Sequence, residues 1–265
     1  MTFRFLLVCI FSFACASCTS TPVSNSPDRD LGILWVKHAA EYRAITMQVY
    51  QSAARALPGF IDDQSWSALP GQDDAEGLPP AVILDVDETV VSGADFQLAF
   101  ERPFDDRKMY DYYEEHDASP VPGVAEFVAA ARQAGAAVFF VTNRSCRQIN
   151  DDPDLCPQKR AVVEELHEVG IDTDETHVML AGEQSWDRAK IARRKYIANT
   201  HRVIMLFGDD LGDFVPCVRT KLYGPCTEPA TKASRQLLVE EFSRFWGNGW
   251  YILPGPMHGS WTSFR

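Results

Sequence analysis

The chain has 265 residues, 46% of them apolar and 23% charged, with a formal net charge of −12. That length carries one sizeable core with room for a small accessory unit, and the composition is ordinary for a soluble globular protein. The acidic balance excludes a nucleic-acid polymer as partner, because phosphate backbones are held by basic patches, and it obliges any phosphate-bearing ligand to find local cations.

Met1 to Ser17 carries one basic residue, Arg4, and then an apolar stretch from Phe5 to about Ala16. The stretch is too short to span a bilayer as a helix and has the form of a secretory signal. Cys15-Ala-Ser-Cys18 resembles a bacterial lipobox, with Cys15 where leucine is usual. It makes Cys18 the lipid-bearing residue of an exported protein of the periplasm or outer membrane, tied to the membrane through that anchor alone. Plain signal-peptidase cleavage near Ala16-Ser17 is the alternative. Residues 18–30, rich in Ser, Thr, Pro and Asn, read as a flexible tether. The folded domain is expected over 31–265. Beyond Cys18 stand Cys146, Cys156, Cys217 and Cys226. In an oxidising compartment the favoured pairs are Cys146 with Cys156 and Cys217 with Cys226, out of three possible connectivities.

Leu31, Leu34, Trp35, His38, Tyr42, Ile45 and Val49 fall on one helical stripe, which predicts a helix ending near Leu57, ahead of Pro58-Gly59. His38 lies in that stripe and reads as a core or boundary histidine. Residues 58–80 read as a loop. Ala81-Val-Ile-Leu84 is an unbroken apolar run, the mark of a strand buried on both faces in a parallel sheet. It leads straight into Asp85 and Asp87. Residues 90–122, rich in aromatic and charged side chains, read as a mostly helical insertion over the strand ends. Further on, helices are expected over 123–134, 158–169, 186–198 and 232–246. Strands are expected over 136–141, 177–180, 202–207, 221–223 and 250–253. Strands alternating with helices mean a parallel α/β sheet.

The strand ends bring chemistry to one edge, where open α/β sheets bind ligands. They deliver Asp85 and Asp87, then Thr142 and Asn143, then Asp209 with Asp210 and Asp213. Lys190, Arg193 and Arg194, spaced i, i+3, i+4, put three cations on one helix face. A face of this kind is usually solvated, unless an acid-rich site opposes it. Carboxylates with water suit magnesium. A carboxylate is also a nucleophile towards phosphorus, and phosphoryl transfer needs mostly positioning and charge neutralisation.

Asp85-Val-Asp-Glu-Thr89, Thr142-Asn143, Lys190 and Gly208-Asp-Asp-Leu-Gly-Asp213 match in order the four motifs of the haloacid dehalogenase (HAD) superfamily. More closely, the chain resembles the class C acid phosphatases, secreted or lipoprotein bacterial enzymes, over nearly all of its mature length. The resemblance implies an α/β fold: a HAD-like, Rossmannoid parallel sheet flanked by helices, with a small, mostly helical cap. It implies a magnesium-dependent phosphomonoesterase acting at acid pH, often on nucleoside monophosphates, through an aspartyl-phosphate. Asp85 is then the nucleophile and Asp87 the general acid and base, while Thr142 and Lys190 hold the phosphoryl group. Asp85, the Asp87 carbonyl and Asp209 bind magnesium, with Asp213 supporting.

Four positions depart from the family pattern: Gly93, Phe96, Gly255 and His258. They lie where the family shapes its substrate pocket. Asn143, Phe96, Tyr113 and His258 are the candidate substrate-binding residues, Phe96 and Tyr113 as an aromatic clamp for a nucleobase. Two other readings use the same scaffold: a phosphotransferase to another alcohol, and a non-catalytic envelope lipoprotein that binds a cation. Cation binding alone has no need of Asp87 or Lys190. A dehalogenase has no need of the second aspartate as proton carrier.

Overall fold

The structure is a computed structural model that describes residues 27–100, 105–115, 117–149 and 153–264. The signal segment, Cys18 and most of the tether lie outside the described residues. Two helices come first, α1 (Pro27–His38) and α2 (Ala40–Asp62). Strand β1 (Pro80–Leu84) follows, then β2 (Val91–Ser92), α3 (Ala94–Ala99), α4 (Asp106–Glu115) and β3 (Ser119–Pro120). The chain continues through α5 (Val124–Gln133), β4 (Ala137–Ser145), α6 (Pro157–Glu168), β5 (Val178–Ala181), α7 (Ile191–Ala198), β6 (Arg202–Gly208), α8 (Lys232–Glu241) and β7 (Trp250–Ile252). Strands β5-β4-β1-β6-β7 form one sheet in that order, every pair parallel. This is the expected HAD-like arrangement. No helix among the described residues is long and apolar enough to cross a membrane.

β1 sits at the centre of the sheet with helices on both faces, which is why it reads as a continuous apolar run. Val82 and Leu84 join the core on one face with Tyr50, Phe127 and Leu166; Ala81 and Ile83 join the other with Ile197, Phe245 and Trp250. Burying one such aliphatic side chain stabilises the fold by about 1.5–3 kcal/mol. Gly135 and Gly170, at φ 87° and 83°, close α5 and α6 as left-handed terminators. The insertion between β1 and α5 contains the small antiparallel pair β2–β3 and the short helices α3 and α4, around an apolar cluster of Phe96, Phe100 and Met109.

Several expectations are corrected. The first helix is two helices, because Ala39 takes an extended ψ of 128°. Helix α1 packs with Ala94 and Met257, whereas α2 joins the main core, so each is phased by its own partner. The buried face is therefore Ile33, Val36, Tyr42, Thr46, Tyr50, Ala53 and Leu57. Leu31, Leu34 and Ile45 are exposed, and so is His38. Helix α1 begins at Pro27, inside the expected tether. Helix α2 runs past Pro58 because its last carbonyls have a dedicated donor. Arg202 on β6, fully buried, donates to the carbonyls of Phe60 (2.9 Å), Asp63 (2.8 Å), Trp66 (3.1 Å) and Ile61 (2.8 Å). Residues 221–223 are not a strand; they lie in the loop closed by the Cys217–Cys226 disulfide. The edge place beside β6 belongs to β7. Cys146 and Cys156 form the second bridge.

Candidate active site

The chain leaves β1 through a tight loop. Asp85 N–H still donates to Phe207 O on β6 (3.0 Å), after which Val86 O accepts from Val90 N–H (2.8 Å) and Val91 N–H (2.9 Å). Glu88 adopts φ 61°, a left-handed backbone that reverses the chain there. The Tyr50 hydroxyl anchors the loop by donating to Thr89 O (2.6 Å). With a side-chain period of two at the strand end, Asp85 and Asp87 are carried to the same edge.

From β6 come Asp209 and a one-turn 3₁₀ helix, Leu211–Asp213. Asp210 caps it by accepting from Gly212 N–H (2.8 Å), and Asp213 Oδ2 accepts in return from Asp210 N–H (2.9 Å). A Cβ on Gly208 would lie 2.2 Å from Asp213 Oδ2, so only glycine lets that carboxylate fold back. Asp210 also receives the Ser260 hydroxyl (2.9 Å), which ties the C-terminal segment to the site. Gly255 from that segment is pressed against Asp209, where a Cβ would stand 2.4 Å from Oδ2.

These elements gather Asp85, Asp209 and Asp213, with one carboxylate oxygen from each within 4.8 Å of the others. Lys190, buried at the start of α7, is ion-paired to Asp85 and to Asp213 (2.7 Å). Burial pushes the Asp85 carboxyl up to about 7; Lys190 opposes the shift, while Asp213 and Asp87 add to it. Asp209 is driven well above the carboxylate range by burial and by the charges of Asp213, Asp85 and Glu88. It has no ion pair among the described residues. One lysine thus neutralises only part of the cluster. The donor set fits a hard divalent cation, which takes carboxylate oxygens.

Asp87 is turned away from this cluster. Its carboxylate accepts from Arg144 and from the Thr142 hydroxyl (3.2 Å), both on β4. Burial alone would raise the Asp87 carboxyl; the charge and hydrogen bonds of Arg144, with His258 and Lys190, outweigh it and hold the group low. The Thr142 hydroxyl also accepts from Arg144 N–H (3.1 Å), so a phosphoryl oxygen placed there would compete with Asp87 for its proton. Asn143 is held by Arg193 (2.8 Å). The three cations are not solvated, as the opposing acids lead one to expect for Lys190. Lys190 precedes α7, and Arg193 and Arg194 are buried, donating to the carbonyls of Thr142 and Asp213.

His258 Nε2 lies 3.2 Å from Glu88 Oε1, and this buried carboxylate also accepts from Gly93 N–H (3.0 Å). Burial works against the charged imidazole, but Glu88 and then Asp87 and Asp85 outweigh it and raise the His258 pKa. Phe96 is buried in the insertion, 5.0 Å from the Phe100 ring and 5.4 Å from Tyr112. Tyr113 lies 5.2 Å from the Arg144 guanidinium, with its ring face covered by that cation. The two rings are occupied by packing and do not stand as an open clamp. Arg144 and Glu88 escaped the sequence reading as site residues. Strand periodicity offered a signal for Arg144, which falls two residues after Thr142 on the same face.

The profile of a family described as HAD superfamily, subfamily IIIB (Acid phosphatase), matches residues 30–261. In fold, the chain is similar to the class C acid phosphatase from Bacillus anthracis, at 23% identity and a TM-score of 0.68, over 88% of this chain and 86% of that one. A tungstate-bound structure of the class C acid phosphatase from the same organism matches at 24% identity and a TM-score of 0.70, with the same coverage of both chains.

Proposed function

The chain belongs to the HAD superfamily, subfamily IIIB, the acid phosphatases, and from that premise we propose that it hydrolyses phosphomonoesters through a phosphoaspartate on Asp85, with magnesium held by Asp85, Asp209, Asp213 and the Asp87 carbonyl. The observation that carries this reading is the division of labour between the aspartates. Three, Asp85, Asp209 and Asp213, gather in one cluster in which Lys190 pairs with Asp85 and Asp213, while the fourth, Asp87, keeps a quarter of its side chain exposed.

Asp85 attacks phosphorus; a new P–O bond forms as the ester P–O bond breaks, and the leaving oxygen takes a proton from Asp87. Asp87 then accepts a proton from water as that water attacks phosphorus. The aspartyl P–O bond breaks, and inorganic phosphate leaves. Lys190 and the Thr142 hydroxyl orient the phosphoryl oxygens. A divalent ion held by Asp85, Asp209 and Asp213 would supply charge neutralisation to those oxygens. Asp87 must be protonated for the first step, and Arg144 holds its pKa low, so turnover is favoured towards acid pH. Nucleoside monophosphates are candidate substrates, and residues 90–122 serve as the cap over the strand ends.

The test is p-nitrophenyl phosphate hydrolysis by the mature protein from acid to neutral pH, with and without EDTA, beside Asp85→Asn. Turnover that needs magnesium and is lost in the variant is expected. EDTA-resistant turnover, or an active Asp85→Asn protein, would sink the reading. A signal at 1–17 and a lipid on Cys18 belong to the same proposal, supported by two disulfides of the kind oxidising compartments allow. The mass of the mature N-terminal peptide decides the matter: an unmodified Cys18 would rule the anchor out.

A further inference from the structure

We propose that Arg144 and Glu165 form a two-carboxylate brace that positions Asp87 as proton donor to the leaving group. The proposal rests on the reading of Asp87 as general acid given above. Arg144 offers donors along two edges of one plane. Its side edge faces Asp87: Nη2 donates to Oδ1 (2.8 Å), and Nε lies 3.1 Å from Oδ1 and 3.3 Å from Oδ2. Its end edge faces Glu165 on α6: Nη1 donates to Oε1 (2.5 Å) and Nη2 to Oε2 (2.8 Å).

Four of the five guanidinium N–H groups are engaged this way by two forks. The planar group has no remaining freedom to swing, and the Asp87 carboxylate plane is set by it. Burial makes the arrangement stiff: Arg144 and Glu165 are nearly inaccessible, and only Asp87 reaches solvent. Tyr113 from the insertion lies over the guanidinium and covers the brace on its open side. The consequence is directional. Asp87 is held by Arg144 on one side, and its partly exposed carboxylate leaves the other side to meet a departing ester oxygen. Glu165 is buried and paired to Arg144; it acts through Arg144, and Arg144 through Asp87. A lysine at 144 would keep the charge but not the two forks.

The readout is the dependence of kcat/KM on the leaving group. p-Nitrophenolate departs without a proton, whereas a simple alkyl alcohol needs one. Arg144→Lys and Glu165→Gln are each expected to lower kcat/KM for an alkyl phosphate about tenfold more than for p-nitrophenyl phosphate, inside the ~10²–10⁴-fold that a positioned general acid supplies. The ratio of the two substrates is taken within one preparation, so loss of folded protein cancels. Should Arg144→Lys not accumulate, the near-isosteric Glu165→Gln carries the test alone. Equal losses on both esters would make the brace merely structural and overturn the proposal. Asp87→Asn separates the two levels. If it shows the leaving-group bias and the brace variants do not, the brace alone falls. If Asp87→Asn shows no bias, the proton-donor role falls and the brace with it.

Discussion

Lys190 is a fully surrounded cation whose nearest charges are Asp85 and Asp213. Its ammonium is stabilised by those carboxylates against the cost of burial, which raises its pKa overall. Removing it leaves three acids facing one another in a low-dielectric site. Breaking a buried pair from one side costs about 3–5 kcal/mol. Lys190→Met is therefore expected to unfold at a markedly lower temperature than the parent in EDTA. Magnesium should restore more stability to the variant than it adds to the parent, since the ion then supplies the neutralisation that Lys190 gave. Thermal unfolding with and without magnesium measures both effects; equal magnesium shifts would argue against the cluster as the ion's seat. At this scale the acids were legible because they directly follow apolar strand runs. Phe96 was not legible. An aromatic ring close in sequence to a motif carries no mark of whether its faces are open, and here they are covered by Phe100 and Tyr112.

Among the elements, α2 and β6 show how a distant residue decides a boundary. Pro58 and Gly59 read as a helix stop, since proline lacks the N–H and glycine favours termini. The helix nevertheless continues to Asp62, with Arg202 placed across its end. A cation at a helix C-terminus also complements the macrodipole. Arg202→Met is expected to keep the packed volume but remove the donor from several partly exposed carbonyls, each such hydrogen bond contributing roughly 0.5–1.5 kcal/mol. A clear loss in denaturant midpoint is the expected result, with fraying of residues 59–63 in hydrogen exchange. An unchanged midpoint would remove Arg202 as the reason the helix extends. The break at Ala39 follows the same logic from the other side: no breaker stands there, yet α1 and α2 answer to different neighbours. The strands of the sheet were more legible than the helix ends, because a run buried on both faces needs no knowledge of which helix covers it.

Over the whole molecule, the two disulfides close short loops, and Cys146 and Cys156 also pack against the main core. Cys146 follows the last residue of β4 and Cys156 stands just ahead of α6, so this bridge joins the strand that holds Arg144 to the helix that holds Glu165. Losing a short-loop disulfide of this kind costs about 2–4 kcal/mol. Replacing Cys146 and Cys156 by serine is expected to lower the melting temperature and also to reduce turnover of alkyl phosphates. The same change at Cys217 and Cys226 should affect stability more than that turnover. Matching losses in the two double variants would show that neither bridge supports the site specifically. Charge is divided in a similar way. The chain carries −12 overall, yet Arg144, Lys190, Arg193 and Arg194 are all buried close behind the carboxylates. The local cations that a phosphate ligand requires lie inside the protein, held by neighbouring carboxylates and backbone carbonyls.

By itself the sequence determined the parallel α/β class, the acids at the ends of β1 and β6 and the threonine on β4, and it favoured one of three cysteine pairings, which the structure carries. Each of these follows from local rules: apolar runs, strand periodicity, short loops. Tertiary structure decided which way those side chains turn. It set Asp87 against Arg144 and away from the carboxylate cluster, drew Glu165 in from a helix with no motif of its own, and closed the Phe96 ring into the insertion. Such choices depend on which charges and rings meet across elements far apart in the chain. Only the packed molecule specifies that geometry, because the hydrogen bonds and steric contacts that select it act over a few ångströms.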